Sequence, residues 1–430
     1  MNLPLFEPPL FDPPQDELPA IPPLLPVEQP APEPGIADVE AAAFEEVAAC
    51  VRGRVRPGMR VAVGVGSRGM ASLPELVRGT VRALRAAGAD PFIVPAMGSH
   101  GGGTAEGQRT ILESLGVGEA SAGAPIRSTM EVVRVGRALD LDLYLDAYAA
   151  RADALFPVNR VKPHTCFEAP IESGLSKMLV IGYGKQWGAR AAHALGFERF
   201  WELIPAGARA HCDAGRVLGG LASVENAVGQ VALVKALTPD EIGREAEADL
   251  LRQAEALLGH LPFDEVDVLV VDRIGKNISG VGIDPNVSGR FGYFAIPDRP
   301  PAPKAIVALS LSEAAHGNGF GVGLADVIPL RLYEAIDWAE THLNGFTSGR
   351  SGLSRGKCPI VVRDGRTAVR TALAMVGALD PSRALVARLR DTSHVLRLWL
   401  SPALLAAARG VTPLPVDPAD SEGLGFLEGI

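Results

Sequence analysis

The stretch Arg60-Val-Ala-Val-Gly-Val-Gly-Ser-Arg-Gly69, followed by a helix-period segment from Leu73 to Ala87 and a second apolar run at Pro91-Phe-Ile-Val-Pro95, decides the fold. A short apolar run ending in glycine, then an amphipathic helix, then another apolar run is the pattern of a βαβ unit, in which helices cover both faces of a parallel sheet. Working outward, the same reading predicts strands at Glu131–Val135, Ala154–Pro157, Met178–Ile181 and Val231–Val234, with Asp240–Leu258 as a helical bridge. A second series begins at Val266–Val271. It continues through Ala305–Leu309, a helix over Pro329–Leu343, Pro359–Val362, a helix near Thr367–Val376, and Val395–Leu400. The expectation is an α/β protein with two doubly wound, Rossmann-like domains, residues 36–259 and 260–430, joined near Gly259 and meeting at a cleft.

Residues 1–35 read differently. They hold 12 prolines and six acidic residues with no Lys or Arg, so they supply most of the net charge of −9 and leave the rest of the chain near neutral. Proline removes a backbone donor and fixes φ, which disfavours helix and sheet, so an extended arm is expected. Its scattered apolar residues, among them Leu10, Phe11, Ile21, Leu24 and Leu25, suit it to lie along a groove of this chain or of a second copy in a homo-oligomer. A loosely ordered tail is the alternative. No basic face suited to nucleic acid is visible. No apolar run approaches the roughly 18 residues that a membrane span needs, and the start lacks a secretion signal, so a cytoplasmic protein with no membrane or nucleic-acid partner is expected. Cys50, Cys166, Cys212 and Cys358 show no Cys-x-x-Cys spacing and read as reduced thiols.

Chemistry-bearing residues concentrate between Arg160 and His193. Asn159-Arg-Val-Lys-Pro-His164 follows a predicted strand, and Pro163 biases the backbone before it to an extended form, so His164 emerges at a strand end. Gly174-Leu-Ser176-Lys177 precedes the apolar Met178–Ile181. A lysine held against apolar neighbours can become a usable amine, although most lysines are simply solvated. His193 lies in a helix-period segment and lacks the H-E-x-x-H spacing of a zinc site, so packing and ligation both remain open. His100 ends the second strand ahead of Gly101-Gly-Gly-Thr104, where a working side chain and a surface histidine are equally at home. Gly64-x-Gly66-Ser67-Arg68-Gly69 matches a dinucleotide fingerprint, but no Asp or Glu ends the next strand. The turn then reads as an anion site with Arg68 as a clamp, or as a plain βα turn. In the second half, Arg273–Arg290 with Lys276 and Glu313–Asp326 form polar, glycine-punctuated loops after strands, suited to a ligand or to turning the chain.

Together these segments resemble the nickel-pincer lactate racemase family. The likeness rests on Ser67-Arg68, Gly98-Ser-His100-Gly, Lys162-Pro-His164, Ser173-Gly-Leu-Ser-Lys177 and His193 beyond. It implies a cofactor, the nickel pincer nucleotide (pyridinium-3,5-bisthiocarboxylic acid mononucleotide nickel), attached through Lys177. It also implies His193 as nickel ligand and His100 and His164 as paired acid/base groups. Arg68 and Lys276 are implied at the substrate, with Ser67, Gly174 and Ser176 at the cofactor. The sequence departs from the family at Val65, where an acidic residue is usual, and in the longer, more acidic Thr165–Glu172 stretch. The implied activity is racemisation or epimerisation of a small 2-hydroxyacid by hydride transfer, with cofactor-maturation proteins as partners. An NAD-dependent hydroxyacid dehydrogenase and a carboxylate-binding homologue without turnover are the alternatives.

Overall fold

The computed structural model describes residues 9–66, 69–417, 420 and 422–427. Ser67 and Arg68, the core of the expected anion turn, lie outside the described residues. The chain is α/β and divides into two compact units, residues 33–258 and residues 1–32 with 259–430.

The first unit is built on a five-stranded sheet in the order Asp90–Pro95, Arg60–Val65, Ala154–Arg160, Gly220–Glu225 and Val231–Leu237. All neighbours are parallel except the last pair. Successive strand residues point to opposite faces, and the inner runs Val61–Val65, Pro91–Pro95 and Ala154–Val158 are apolar because both faces are covered. Val61, Val63 and Val65 pack with Val39, Val47, Leu73, Leu76 and Val77 of the helices Val39–Cys50 and Leu73–Ala86. Ala62, Phe92 and Val94 face the other way, toward Leu179, Val180, Phe200 and Leu203. Gly64 has its own reason. A Cβ there would fall 2.3 Å from the ring of Tyr183, a fully buried side chain whose hydroxyl donates to the Ala62 carbonyl at 2.9 Å. The first glycine of the fingerprint-like turn therefore makes room for an aromatic ring.

Two expectations for this unit are corrected. Met178–Ile181 is not a strand: Gly174–Lys177 is helical and runs into a turn of π-helix, Met178–Gly182, ahead of the helix Lys185–Ala194. Four apolar residues carry no usable period, so burial alone cannot separate strand from helix. The helix is completed by a distant group. Glu247 Oε1 accepts the Ser176 N–H at 2.9 Å and Oε2 accepts the Ser176 hydroxyl at 2.5 Å, satisfying first-turn donors that have no intrahelical partner. The predicted bridge is likewise an integral helix, Glu245–Leu257, whose Leu250, Leu251 and Ala254 join the core of this unit.

The second unit carries an eight-stranded sheet in the order Ile360–Val362, Val327–Pro329, Ala305–Leu311, Val268–Ile274, Val386–Leu389, Arg397–Leu400, Leu25–Glu28 and Thr412–Pro413. The first five are mutually parallel and the last three pair antiparallel. The proline-rich segment, expected to stand outside regular structure, supplies Leu25–Glu28 as the next-to-last strand. It is short, and Pro26, which has no N–H to give, still accepts from Leu414 N at 2.9 Å. Upstream, where prolines break the ladder, Arg370 gathers the carbonyls of Gln15, Leu18 and Pro19 at 3.0, 2.6 and 3.0 Å. Leu24 and Val27 are buried within this chain.

Candidate active site around His164, Lys177 and His193

His164 leaves the sheet just beyond Ala154–Arg160 and sits in a turn closed by its own neighbours. Glu172, 5% exposed, accepts the backbone N–H of His164 through Oε2 at 2.6 Å and that of Ala169 through Oε1 at 2.8 Å. The Ser173 hydroxyl accepts the Lys162 N–H at 2.7 Å, and Asn159 Nδ2 donates to the Gly174 carbonyl at 3.0 Å. Inside the turn the Cys166 N–H donates to His164 Nδ1 at 3.1 Å. The backbone thus sets the orientation of the imidazole.

Three phenylalanines join that ring to the rest of the site. His164 lies 4.5 Å from Phe167 and 5.9 Å from Phe197, centroid to centroid. His193 lies 5.3 Å from Phe197 and stacks on Phe200 at 5.7 Å with 8° between planes. Phe167 and Phe197 each meet Phe200, at 5.2 and 4.9 Å. The Lys177 ammonium stands 5.6 Å above the Phe167 ring. His164, Lys177 and His193, separate in sequence, therefore border one aromatic cluster.

That setting changes the histidine's chemistry. Desolvation, and then the Lys177 ammonium, push the His193 imidazole down to about 4. Near neutral pH its lone pair is available to a metal. Burial pushes the Glu172 carboxyl up to about 7, against the N–H groups of His164 and Ala169 that favour its charged form.

His100 is tied to the same neighbourhood through its backbone, with its ring exposed. Gly98 N–H donates to the Gly182 carbonyl at 3.3 Å, and a Cβ on Gly98 would touch Ala189 and Ile181. The buried Gln108 donates to the carbonyls of Gly98 at 2.8 Å and His100 at 3.2 Å, and accepts from Lys185 Nζ at 2.9 Å. Lys185 also donates to the Pro95 carbonyl and pairs with Asp146 at 3.1 Å, both side chains fully enclosed. Burial works toward the neutral form of each partner and their mutual attraction opposes it. The loop of His100 is thereby fastened to the first residue of the helix that carries His193.

Gly174 and Ser176, which the resemblance implies at the cofactor, pack against Glu247. Ser176 is fully buried against Glu247, and Gly174, at φ +80°, would place a Cβ 2.9 Å from Glu247 Oε1. Both shape the helix that presents Lys177. Lys276 belongs to the second unit, where its ammonium donates to Asn344 Oδ1 at 2.6 Å and lies 5.6 Å from the Phe320 ring.

Sequence reading passed over Glu172, Gln108, Glu247 and the phenylalanines. His193, Phe197 and Phe200 fall on three successive helical elements with Gly196 at φ +85° between the first two, so no single helical period announced their meeting. Among the described residues no group of three or more His, Cys, Asp or Glu side chains is arranged to hold a metal ion, and no helix is long and apolar enough to cross a membrane.

No family model and no curated protein matches the chain. Among solved structures the chain is similar to a protein from Thermotoga maritima determined as a structural-genomics target, at 12% identity over 74% of this chain and 81% of that one, TM-score 0.47. It is also similar to the lactate racemase apoprotein from Thermoanaerobacterium thermosaccharolyticum, at 12% identity over 89% of this chain and 86% of that one, with a TM-score of 0.44.

Proposed function

We propose that this chain is an isomerase, a racemase or epimerase of a small 2-hydroxyacid that works with a nickel pincer nucleotide held through Lys177. The observation that carries the reading is the convergence of His164, Lys177 and His193 on one phenylalanine cluster. The donor set suits the group: His193, pushed down to about 4, offers a neutral imidazole, and nickel accepts nitrogen and sulfur donors. When bound, the cofactor supplies a hydride acceptor that this chain lacks.

The chain's own residues do the rest. Lys177 anchors the group and His193 ligates the metal. His100 and His164 address the hydroxyl group of the acid and Arg68 its carboxylate, with Lys276 implied at the substrate by the resemblance. Ser67 contacts the cofactor, whereas Gly174 and Ser176 act indirectly by holding the Lys177 helix. Three of the four cysteines are buried and free, in keeping with a reducing cytoplasm where maturation proteins install the cofactor.

The test is to make the chain alongside pincer-synthesis enzymes and racemise a 2-deuterated hydroxyacid in ordinary water, reading deuterium at C2 by NMR. Retention of the label during racemisation is expected. Wash-out in step with racemisation contradicts the reading, net conversion to the keto acid with NAD reduction points to a dehydrogenase, and binding without interconversion points to a carboxylate-binding protein.

A further inference from the structure

Lys185 decides which way the Gln108 amide faces. An ammonium donates and cannot accept, and Lys185, with no exposed surface, directs its Nζ to the Pro95 carbonyl, to Gln108 Oε1 at 2.9 Å and to Asp146 Oδ2 at 3.1 Å. The oxygen of the fully buried Gln108 is therefore the end turned toward Lys185, and its amide nitrogen is the end left to donate to the Gly98 and His100 carbonyls, at 2.8 and 3.2 Å. Reversing the amide would set its N–H groups against an ammonium and its oxygen against two carbonyls.

The turn so held has little stiffness of its own. Gly101, Gly102 and Gly103 follow His100 at φ +68°, +64° and +65°, a run of backbone with no side chains to limit it. Lys185 is fixed from the far side. It stands at φ +52°, a conformation that a lysine keeps only where its surroundings enforce it. Its partner Asp146 is anchored as well, because Oδ1 accepts the Tyr148 and Ala149 N–H groups at 2.8 and 3.1 Å and the Asp146 N–H donates to the Tyr183 carbonyl at 2.7 Å.

We infer that Lys185 is a positioning residue for His100: through the fixed Gln108 amide it sets where the His100 backbone stands relative to the helix Lys185–Ala194, which carries His193. What that placement serves rests on the proposed function, in which His100 addresses the hydroxyl group of the acid; the placement itself does not. Neither Lys185 nor Gln108 has a chemical step of its own.

Gln108→Met keeps the length of the side chain and removes both of its polar ends. Amide hydrogen exchange of the chain without cofactor, read on peptides spanning 98–104, should rise by about tenfold or more in this variant, with the strands Arg60–Val65 and Ala154–Arg160 exchanging as in wild type. Asp146→Asn combined with Lys185→Met, which removes both buried charges together, should loosen the same peptides and carries the test if Gln108→Met does not fold. Adding Gln108→Met to that pair should change little further, because both act through one amide. Unchanged exchange over 98–104, a rise shared by the whole unit, or additive effects would overturn the inference. In cofactor-loaded protein, Gln108→Met should lower kcat roughly 10–100-fold with KM within about threefold, and leave nickel content and the Lys177 adduct unchanged, since a misplaced proton-transfer group costs rate rather than binding. A loss confined to KM, or full kcat in a variant whose turn has loosened, overturns the inference and leaves the racemase reading intact. If the loaded wild-type chain racemises no 2-hydroxyacid, the reading of function fails and the exchange result still decides whether Lys185 and Gln108 set the turn.

Discussion

Two buried carboxylates hold the two halves of the candidate site, and they do so over different distances. Glu172 closes the His164 turn from eight residues away, within one loop. Glu247 caps the Lys177 helix from 71 residues away, reaching out of the helix Glu245–Leu257. Burial raises the pKa of both. A local clamp opens with its loop, whereas a long-range clamp opens only when two elements of the core separate. Lys177, the proposed attachment point, is thus built into the global stability of its unit, and the His164 turn is held by a separate latch.

The largest expected effect breaks the long-range clamp. Glu247→Ala removes the acceptor of the Ser176 N–H, the Ser176 hydroxyl and the Gly243 N–H, all within 2.9 Å. Each buried donor left unpaired costs about 1–3 kcal/mol, so urea unfolding should register a loss of roughly 3–5 kcal/mol. A loss below about 1 kcal/mol would mean that water replaces the carboxylate easily and that the helix does not depend on it.

The local latch makes a smaller, pH-dependent contribution. The Glu172 carboxyl rises from 4.5 to about 7, so between these values the folded chain holds a proton that the unfolded chain releases. Its stabilising contribution is therefore complete below pH 4.5 and is lost as pH climbs through about 7, by on the order of 3 kcal/mol at most. Glu172→Gln cannot titrate. Measured by urea unfolding from pH 4.5 to 8, wild-type stability should fall relative to the variant as pH rises; a constant or opposite difference would show that the paired N–H groups outweigh desolvation. His193, lowered to about 4, acts in the other direction as pH falls below 6.5, so comparison with the variant isolates the glutamate.

The alternation of apolar runs and amphipathic segments was legible because sheets covered on both faces leave continuous hydrophobic runs, as at Arg60–Val65 and Ala305–Leu311. Legibility failed where the cause was remote. Gly174–Gly182 is helical with Glu247 satisfying its first turn, and Leu25–Glu28 is a strand because Arg397–Leu400 and Thr412–Pro413 lie on either side of it. The site divides the same way. His164 at a strand end and Lys177 in a glycine-led turn announce themselves, but nothing local in the sequence says that Phe167 and Phe200 will meet between them. The Ser176 hydroxyl donates to the buried Glu247 carboxylate, a partner 71 residues away that nothing local in the sequence announces.

Lys177, beside the Phe167 ring of the phenylalanine cluster, is the residue proposed to carry the cofactor. Intact and peptide mass spectrometry of chain matured alongside pincer-synthesis enzymes tests it most directly. An adduct is expected on the peptide containing Lys177, lost in Lys177→Ala, with no modification of Lys185, which is sealed at 0% exposure against Asp146. An adduct on Lys162 or Lys185, or an unmodified Lys177 in protein that racemises its substrate, would contradict it.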